Sequence, residues 1–151
     1  MQSRRDCIFL YRCQSAKKKE FKTRLYRDLW REYNRNRSAQ SDDTYTEVCY
    51  KLIGMIEEKN EEDLHIIRDY SAQSNALGAG FCCKPIDEIQ KRIDENLLTL
   101  AELYRNVGDF EKCLTTLEII TQHQNYDAFI KCIRAEALQK NVKTVKVIVK
   151  N

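Results

Sequence analysis

Apolar residues recur at helical spacing along most of this chain. In residues 15–33 apolar side chains occupy every fourth position, while lysine and arginine fill the opposite face. The apolar positions are Phe21, Leu25, Leu29 and Tyr33, with Tyr26 and Trp30 beside them. A period near 3.6 residues places such side chains along one side of an amphipathic helix. We therefore predict a first helix over residues 15–33, with this apolar stripe facing the core.

Capping signals predict two further helices in the N-terminal half. Thr44 and Glu47 have the spacing of a capping box, in which two side chains satisfy backbone amides at the start of a helix. The apolar positions that follow predict a helix over residues 44–58. Asn60, with Asp63 three residues later, then indicates the start of a third helix.

The clearest pattern is a helical hairpin in the C-terminal half. Apolar residues form a near-continuous helical stripe over residues 87–107, and Pro85 suits its first turn because the missing amide proton would be unpaired there. Gly108 is placed to end this helix, since glycine adopts the left-handed conformation without a Cβ clash. Asp109 can then cap a second helix over residues 110–123.

The spacing within this hairpin resembles the tetratricopeptide repeat. Its first helix carries the pattern W-x2-L-G-x2-Y, and here Leu97 stands at the tryptophan position and Ala101 at the glycine position. The usual closing proline is Asn125 in this chain. The residues that carry the resemblance are Leu97, Leu100, Ala101, Tyr104, Gly108, Phe110, Cys113 and Leu117.

The resemblance implies two antiparallel helices that approach closely where small residues meet. A weaker echo lies at residues 47–53, which match residues 111–117 at an offset of 64. The last 65 or so residues also resemble small uncharacterised bacterial proteins, in which such helices often follow a four-cysteine zinc ribbon. This chain has no Cys-x2-Cys pair, so the ribbon does not carry over.

Both ends of the chain fit more than one element. Residues 7–13 form a short apolar run that suits either a strand or the start of a helix. Residues 126–140 predict another helix. Residues 141–150 form either a short last helix or a strand, because their valines partly alternate with polar residues.

Composition supports an all-α fold. The 151 residues are 42% hydrophobic and 32% charged, with one proline and four glycines, which favours helices joined by short loops over a sandwich or barrel. We predict tetratricopeptide-like helical hairpins in a small bundle or short solenoid, forming one compact unit. Its expected parts are an N-terminal helical half at 1–75, a linker at 76–86 and the hairpins at 87–151.

Cysteine usage and candidate chemistry point away from catalysis. The seven cysteines are odd in number and lack paired spacing, so we expect reduced thiols in a cytoplasmic protein. A zinc site is the alternative, although these spacings are not those of zinc knuckles. No phosphate-binding loop or paired-carboxylate motif occurs, so we expect no enzyme and no cofactor. The cysteines of that alternative are Cys7, Cys13, Cys82 and Cys83.

Charge is distributed unevenly. Residues 1–37 carry twelve lysines and arginines against four acidic residues, and residues 38–75 carry three against nine. We expect a protein partner, bound on a concave face made by the first helix of each hairpin, and no membrane association, since no apolar run is long enough. The alternative is nucleic-acid binding by the basic first helix, through Lys17, Lys18, Lys19, Arg24, Arg27 and Arg31.

The repeat alignment predicts that Ala101 and Cys113 face each other where the hairpin helices are closest. Replacing Ala101 by Phe should overpack that contact and lower the free energy of unfolding by about 1–3 kcal/mol. Thermal and denaturant unfolding followed by circular dichroism measure the change. An unaltered melting temperature would show that the alignment is wrong.

Overall fold

The computed structural model describes the backbone of residues 4–37, 41–77 and 84–143, and the side chains of residues 17–37, 41–72 and 86–143. Within these ranges every regular element is helical, which confirms the all-α fold class. The tetratricopeptide character stays a prediction. The elements are α1 (Arg4–Arg35), α2 (Asp42–Leu77), α3 (Lys84–Asn106), α4 (Phe110–Ile119), a 3-10 turn (His123–Tyr126) and α5 (Asp127–Leu138).

Internal contacts group the chain into two units, Met1–Met55 and Ile56–Asn151, where the sequence had suggested one. The boundary falls inside α2. Most of the linker predicted at 76–86, namely residues 78–83, falls outside the described residues, so the linker stays a prediction. The same holds for most of the segment at 141–150.

The first unit contains α1 and the start of α2, and its core lies around Trp30. Tyr45 of α2 is buried, and its hydroxyl donates a hydrogen bond to Asn34 Oδ1 of α1 at 2.6 Å. The Arg37 guanidinium lies 3.9 Å from the centre of the Tyr45 ring. Further apolar side chains of α2 complete this core, namely Val48, Cys49, Leu52 and Ile53.

The predicted apolar stripe of α1 is only partly buried. Phe21 and Leu25 are 63% and 53% exposed, whereas Leu29 and Tyr33 are half-buried. A strict four-residue repeat advances about 40° per step around a helix of 3.6 residues per turn. Phe21 also lies nine residues before Trp30, a turn of about 900°, which places the two on opposite sides of α1. One partner helix therefore cannot cover both.

The two helices predicted at 44–58 and from Asn60 are one continuous helix, α2. It begins at Asp42 rather than at Thr44, because the Ser41 hydroxyl oxygen accepts a hydrogen bond from the Thr44 amide at 3.2 Å and so caps the helix. Asn60 lies inside the helix, where its side chain is buried. No glycine or proline follows residue 54 before the helix ends at Leu77, so nothing in the chain interrupts α2 there.

The hairpin of α3 and α4 has the predicted turn. Gly108 has φ +85°, its amide donates to the Arg105 carbonyl at 3.1 Å, and the Asp109 amide donates to the Tyr104 carbonyl at 2.9 Å. These two bonds form a Schellman motif. Asp109 Oδ1 then accepts from the Lys112 amide at 3.2 Å, which confirms the predicted cap.

The core of the second unit forms where α3, α4 and α5 pack against one another. Ala101 of α3 and Cys113 of α4 are both completely buried, as the repeat alignment requires of small residues at a close helix contact. The other buried apolar residues of this unit are Ile56, Ile89, Ile93, Leu97, Leu100, Leu103, Tyr104, Leu117, Ile120, Ile130, Ile133 and Ala137.

The ends of α3 and α5 use the same turn with different residues. At the end of α5, Lys140 has φ 56°, its amide donates to the Ala137 carbonyl at 3.0 Å, and the Asn141 amide donates to the Glu136 carbonyl at 2.9 Å. A side chain in the left-handed region costs roughly 1–2 kcal/mol, which glycine avoids.

Substitutions at Gly108 and at Lys140 should change the stability of the protein in opposite directions. Gly108→Ala should destabilise the protein by about 1 kcal/mol through backbone strain alone, because nothing lies within 4 Å of a Cβ built there. Lys140→Gly should stabilise it by up to about 1 kcal/mol by relieving that strain. Urea unfolding of each variant measures the two effects. Changes of the same sign at both positions would contradict this account of the turns.

Candidate functional site

An open groove of about 340 Å³ lies in the second unit, between α2, α3 and α4. Leu97 and Leu100 of α3 form a buried floor. Leu64 of α2 and Ile119 of α4 also line the groove, and they are 38% and 58% exposed. The groove therefore presents apolar side chains to solvent at a concave surface, which makes it a candidate binding site.

Charged residues of α2 line the same groove. Glu57, Glu61 and Arg68 lie four and seven residues apart, which places them along one face of the helix. The hydroxyl of Tyr104 donates a hydrogen bond to Glu57 Oε1, joining α3 to α2. Glu61 and Arg68 are exposed and have no ion pair or hydrogen bond within the described residues.

Beside the groove, α2 and α3 share a buried polar contact. Asn60 Oδ1 accepts a hydrogen bond from Asn96 Nδ2 at 3.0 Å, whereas the buried Nδ2 of Asn60 has no acceptor within the described part of the chain. Asp63 is completely buried and pairs with Lys59 at 3.3 Å and Arg92 at 3.6 Å. Neither of its oxygens accepts a hydrogen bond from any described residue.

A second buried carboxylate, Asp94 of α3, is fully satisfied instead. It accepts hydrogen bonds from the amides of Thr121 and Gln122 at 3.2 and 3.3 Å, and from the Thr121 hydroxyl at 3.0 Å. Gln90 Nε2 donates a further bond at 3.2 Å. The amides that would continue α4 are thereby bound to α3, and α4 ends at Ile119 rather than at the predicted residue 123.

The buried Arg105 attaches the segment that follows α5 to α3. Its Nη1 donates to the carbonyls of Asn141 and Lys143 at 2.6 and 2.7 Å. Asn106 Nδ2 donates to the Val142 carbonyl at 3.0 Å. Three consecutive backbone carbonyls are thus held by two neighbouring side chains of α3.

The cysteines whose side chains are described, Cys49, Cys113 and Cys132, are free thiols. Cys49 and Cys113 are buried, and burial raises the pKa of each thiol to about 11. Burial also raises the pKa of Cys132. Since the thiolate is the reactive form, these side chains are poor nucleophiles at neutral pH.

The described residues contain no cluster of three or more side chains that could hold a metal ion. The four cysteines of the zinc hypothesis, Cys7, Cys13, Cys82 and Cys83, have side chains outside the described residues, so that hypothesis stays open. No helix in the described part of the chain is long and apolar enough to cross a membrane.

The structure brings most of the repeat signature together. Six of its eight residues are buried, Gly108 forms the turn, and Phe110 is half-buried. The six basic residues predicted for a nucleic-acid surface are instead spread around α1, with Lys17, Lys18 and Lys19 exposed. Of the remaining three, Arg24 and Arg31 are exposed in ion pairs within α1, and Arg27 is half-buried.

The chain matches no protein-family model, no curated protein and no solved structure. The resemblance to the tetratricopeptide repeat therefore rests on the hairpin residues alone.

Sequence reasoning missed the groove and the buried polar groups beside it. Glu57, Glu61, Leu64 and Arg68 recur at helical spacing, which is the signal by which the side of α2 that lines the groove could have been found. Asp94 could have been recognised as a buried residue, because it lies seven residues before Ala101 and so shares its helix face.

The two buried aspartates should respond differently to the same substitution. Asp94→Asn weakens several hydrogen bonds to a charged acceptor and should cost roughly 1.5–3 kcal/mol of stability. Asp63→Asn removes a buried charge without losing a hydrogen bond, and its partners Lys59 and Arg92 are exposed and can be solvated, so it should cost less than about 1 kcal/mol. Denaturant unfolding of both variants measures the difference. Equally small losses would mean that the hydrogen bonds to Asp94 contribute little, and equally large losses would mean that the charge of Asp63 contributes as much as they do.

Proposed function

We propose that this protein binds other proteins through the groove between α2, α3 and α4. The observation that carries the proposal is the exposure of Leu64 and Ile119 at a concave surface whose floor is apolar. Burying such side chains against a partner is favourable by roughly 25 cal/mol per Å² of apolar surface. The groove is large enough for a few side chains of a partner, and α3, the first helix of the hairpin, forms its floor.

A second candidate function is nucleic-acid binding by α1. The observation that favours it is the 63% exposure of Phe21, which is flanked at helical spacing by Lys17, Lys18 and Arg24. An exposed aromatic ring among cations can stack on a base while the cations contact phosphates. Such binding would weaken steeply with salt, because it releases counterions.

The two candidates are separated by substitutions on different helices. Ile119→Asp places a charge in the groove and should abolish retention of a protein partner in affinity purification from the native host. Leu138→Asp is the matched control, since Leu138 is 67% exposed and does not line the groove. A partner lost with Ile119→Asp and kept with Leu138→Asp supports the groove. If no recovered protein is lost with Ile119→Asp and kept with Leu138→Asp, the result argues against the groove as the binding site.

Fluorescence anisotropy with a labelled single-stranded RNA of about 20 nucleotides tests the second candidate. Binding that falls by at least tenfold between roughly 50 and 200 mM salt, and that is lost in the double variant Lys17→Glu, Lys18→Glu, would support it. The absence of binding at low salt would reject it. Ile119→Asp should leave any such binding unchanged.

A further inference from the structure

We propose that the groove selects a peptide segment by the order of its charges: a cationic side chain beside Glu57 and Glu61, an apolar anchor beside Leu64 and Ile119, and an anionic side chain beside Arg68. This inference rests on the proposed function, because it names the chemistry of the partner that the same groove would bind. It commits to a peptide segment of a partner protein as the occupant.

The first step is the linear order of groups along α2. Glu57, Glu61, Leu64 and Arg68 follow one another at intervals of four, three and four residues, so all of them lie on the face that lines the groove. At 1.5 Å per residue, Glu57 and Arg68 are about 16 Å apart along the helix axis. That length matches roughly eleven residues of a helical segment or about five of an extended one.

The second step is that these charges are available. Glu61 and Arg68 are exposed, and neither is engaged by another described side chain. Glu57 accepts a hydrogen bond from the Tyr104 hydroxyl, which leaves its negative charge in place. Lys112 lies 5.6 Å from the centre of the Tyr104 ring, but it pairs with Asp109 at 3.8 Å.

The third step is the apolar surface between the charges. Leu64 lies between Glu61 and Arg68 in the sequence of α2, and Ile119 lines the groove from α4. An apolar partner side chain placed there would exclude water from the neighbouring ion pairs, which strengthens them. Opposite charges at the two ends make the groove directional, so a segment with reversed charges would meet like charges at both ends.

The test begins with a phage-displayed library of random twelve-residue peptides selected on the full-length protein. Peptides whose binding depends on the groove are those retained by wild type and by Leu138→Asp but lost with Ile119→Asp. We expect them to combine apolar residues with a basic residue and an acidic residue on opposite sides. Reversing the order of these two charges in a selected peptide should weaken its binding by roughly tenfold, as expected for two exposed ion pairs.

The matched control exchanges the charges of the groove. The double variant Glu61→Lys, Arg68→Glu keeps the net charge and the apolar floor, and it should bind the reversed peptide better than the original one. Circular dichroism confirms that each variant is folded. If groove-dependent peptides bind equally in both charge orders, the charge rule is wrong and the proposed function stands. If no selected peptide depends on Ile119, both are wrong.

Discussion

The close antiparallel contact between α3 and α4 is the constraint on which the rest of the second unit depends. Ala101 of α3 and Cys113 of α4 are completely buried, and the left-handed Gly108 reverses the chain between the two helices. The repeat alignment predicts that these two small side chains meet, so a larger side chain at either position is expected to force the helices apart. Asp94 then binds the backbone just after α4, which fixes where that helix ends. Because α4 ends there, Ile119 is its last residue and stays exposed beside the groove.

The wall of the groove formed by α2 is held in a different way from the wall formed by α4. Tyr104, Asn96 and Arg92 of α3 reach α2 through hydrogen bonds and an ion pair. Buried ion pairs contribute little net stability, because desolvation offsets much of their attraction. Asp63 moreover lacks hydrogen bonds from the described residues. The polar contacts between α3 and α2 therefore position the α2 wall of the groove more than they stabilise it.

Local signals in the sequence predicted the hairpin turn and cap, whereas they could not predict contacts between residues that are far apart in the sequence. Gly108 and Asp109 act on their own neighbours, so the turn and the cap followed from residue type alone. The start proposed at Asn60 was wrong because a capping residue begins a helix only where the preceding one stops. Phe21 and Leu25 were assigned to the core because a four-residue repeat resembles a stripe over short distances. Asp94, whose partners Thr121 and Gln122 lie 27 and 28 residues away, could not be paired without the fold.

The positive charge of α1 does not by itself favour this helix over the groove as the binding surface, because the cations of α1 are partly compensated on the helix itself. Arg24, Arg31 and Arg35 pair with acidic residues three or four positions away, at distances of 3.0 to 3.6 Å. Exposed pairs of this kind are worth little and lower the local positive potential. Phosphate attraction also carries no shape information, so it yields affinity without selecting a partner. The groove combines apolar surface with Glu61 and Arg68, which have no ion pair within the described part of the chain. Shape and the order of charges are properties by which a binding surface can select one protein partner over another.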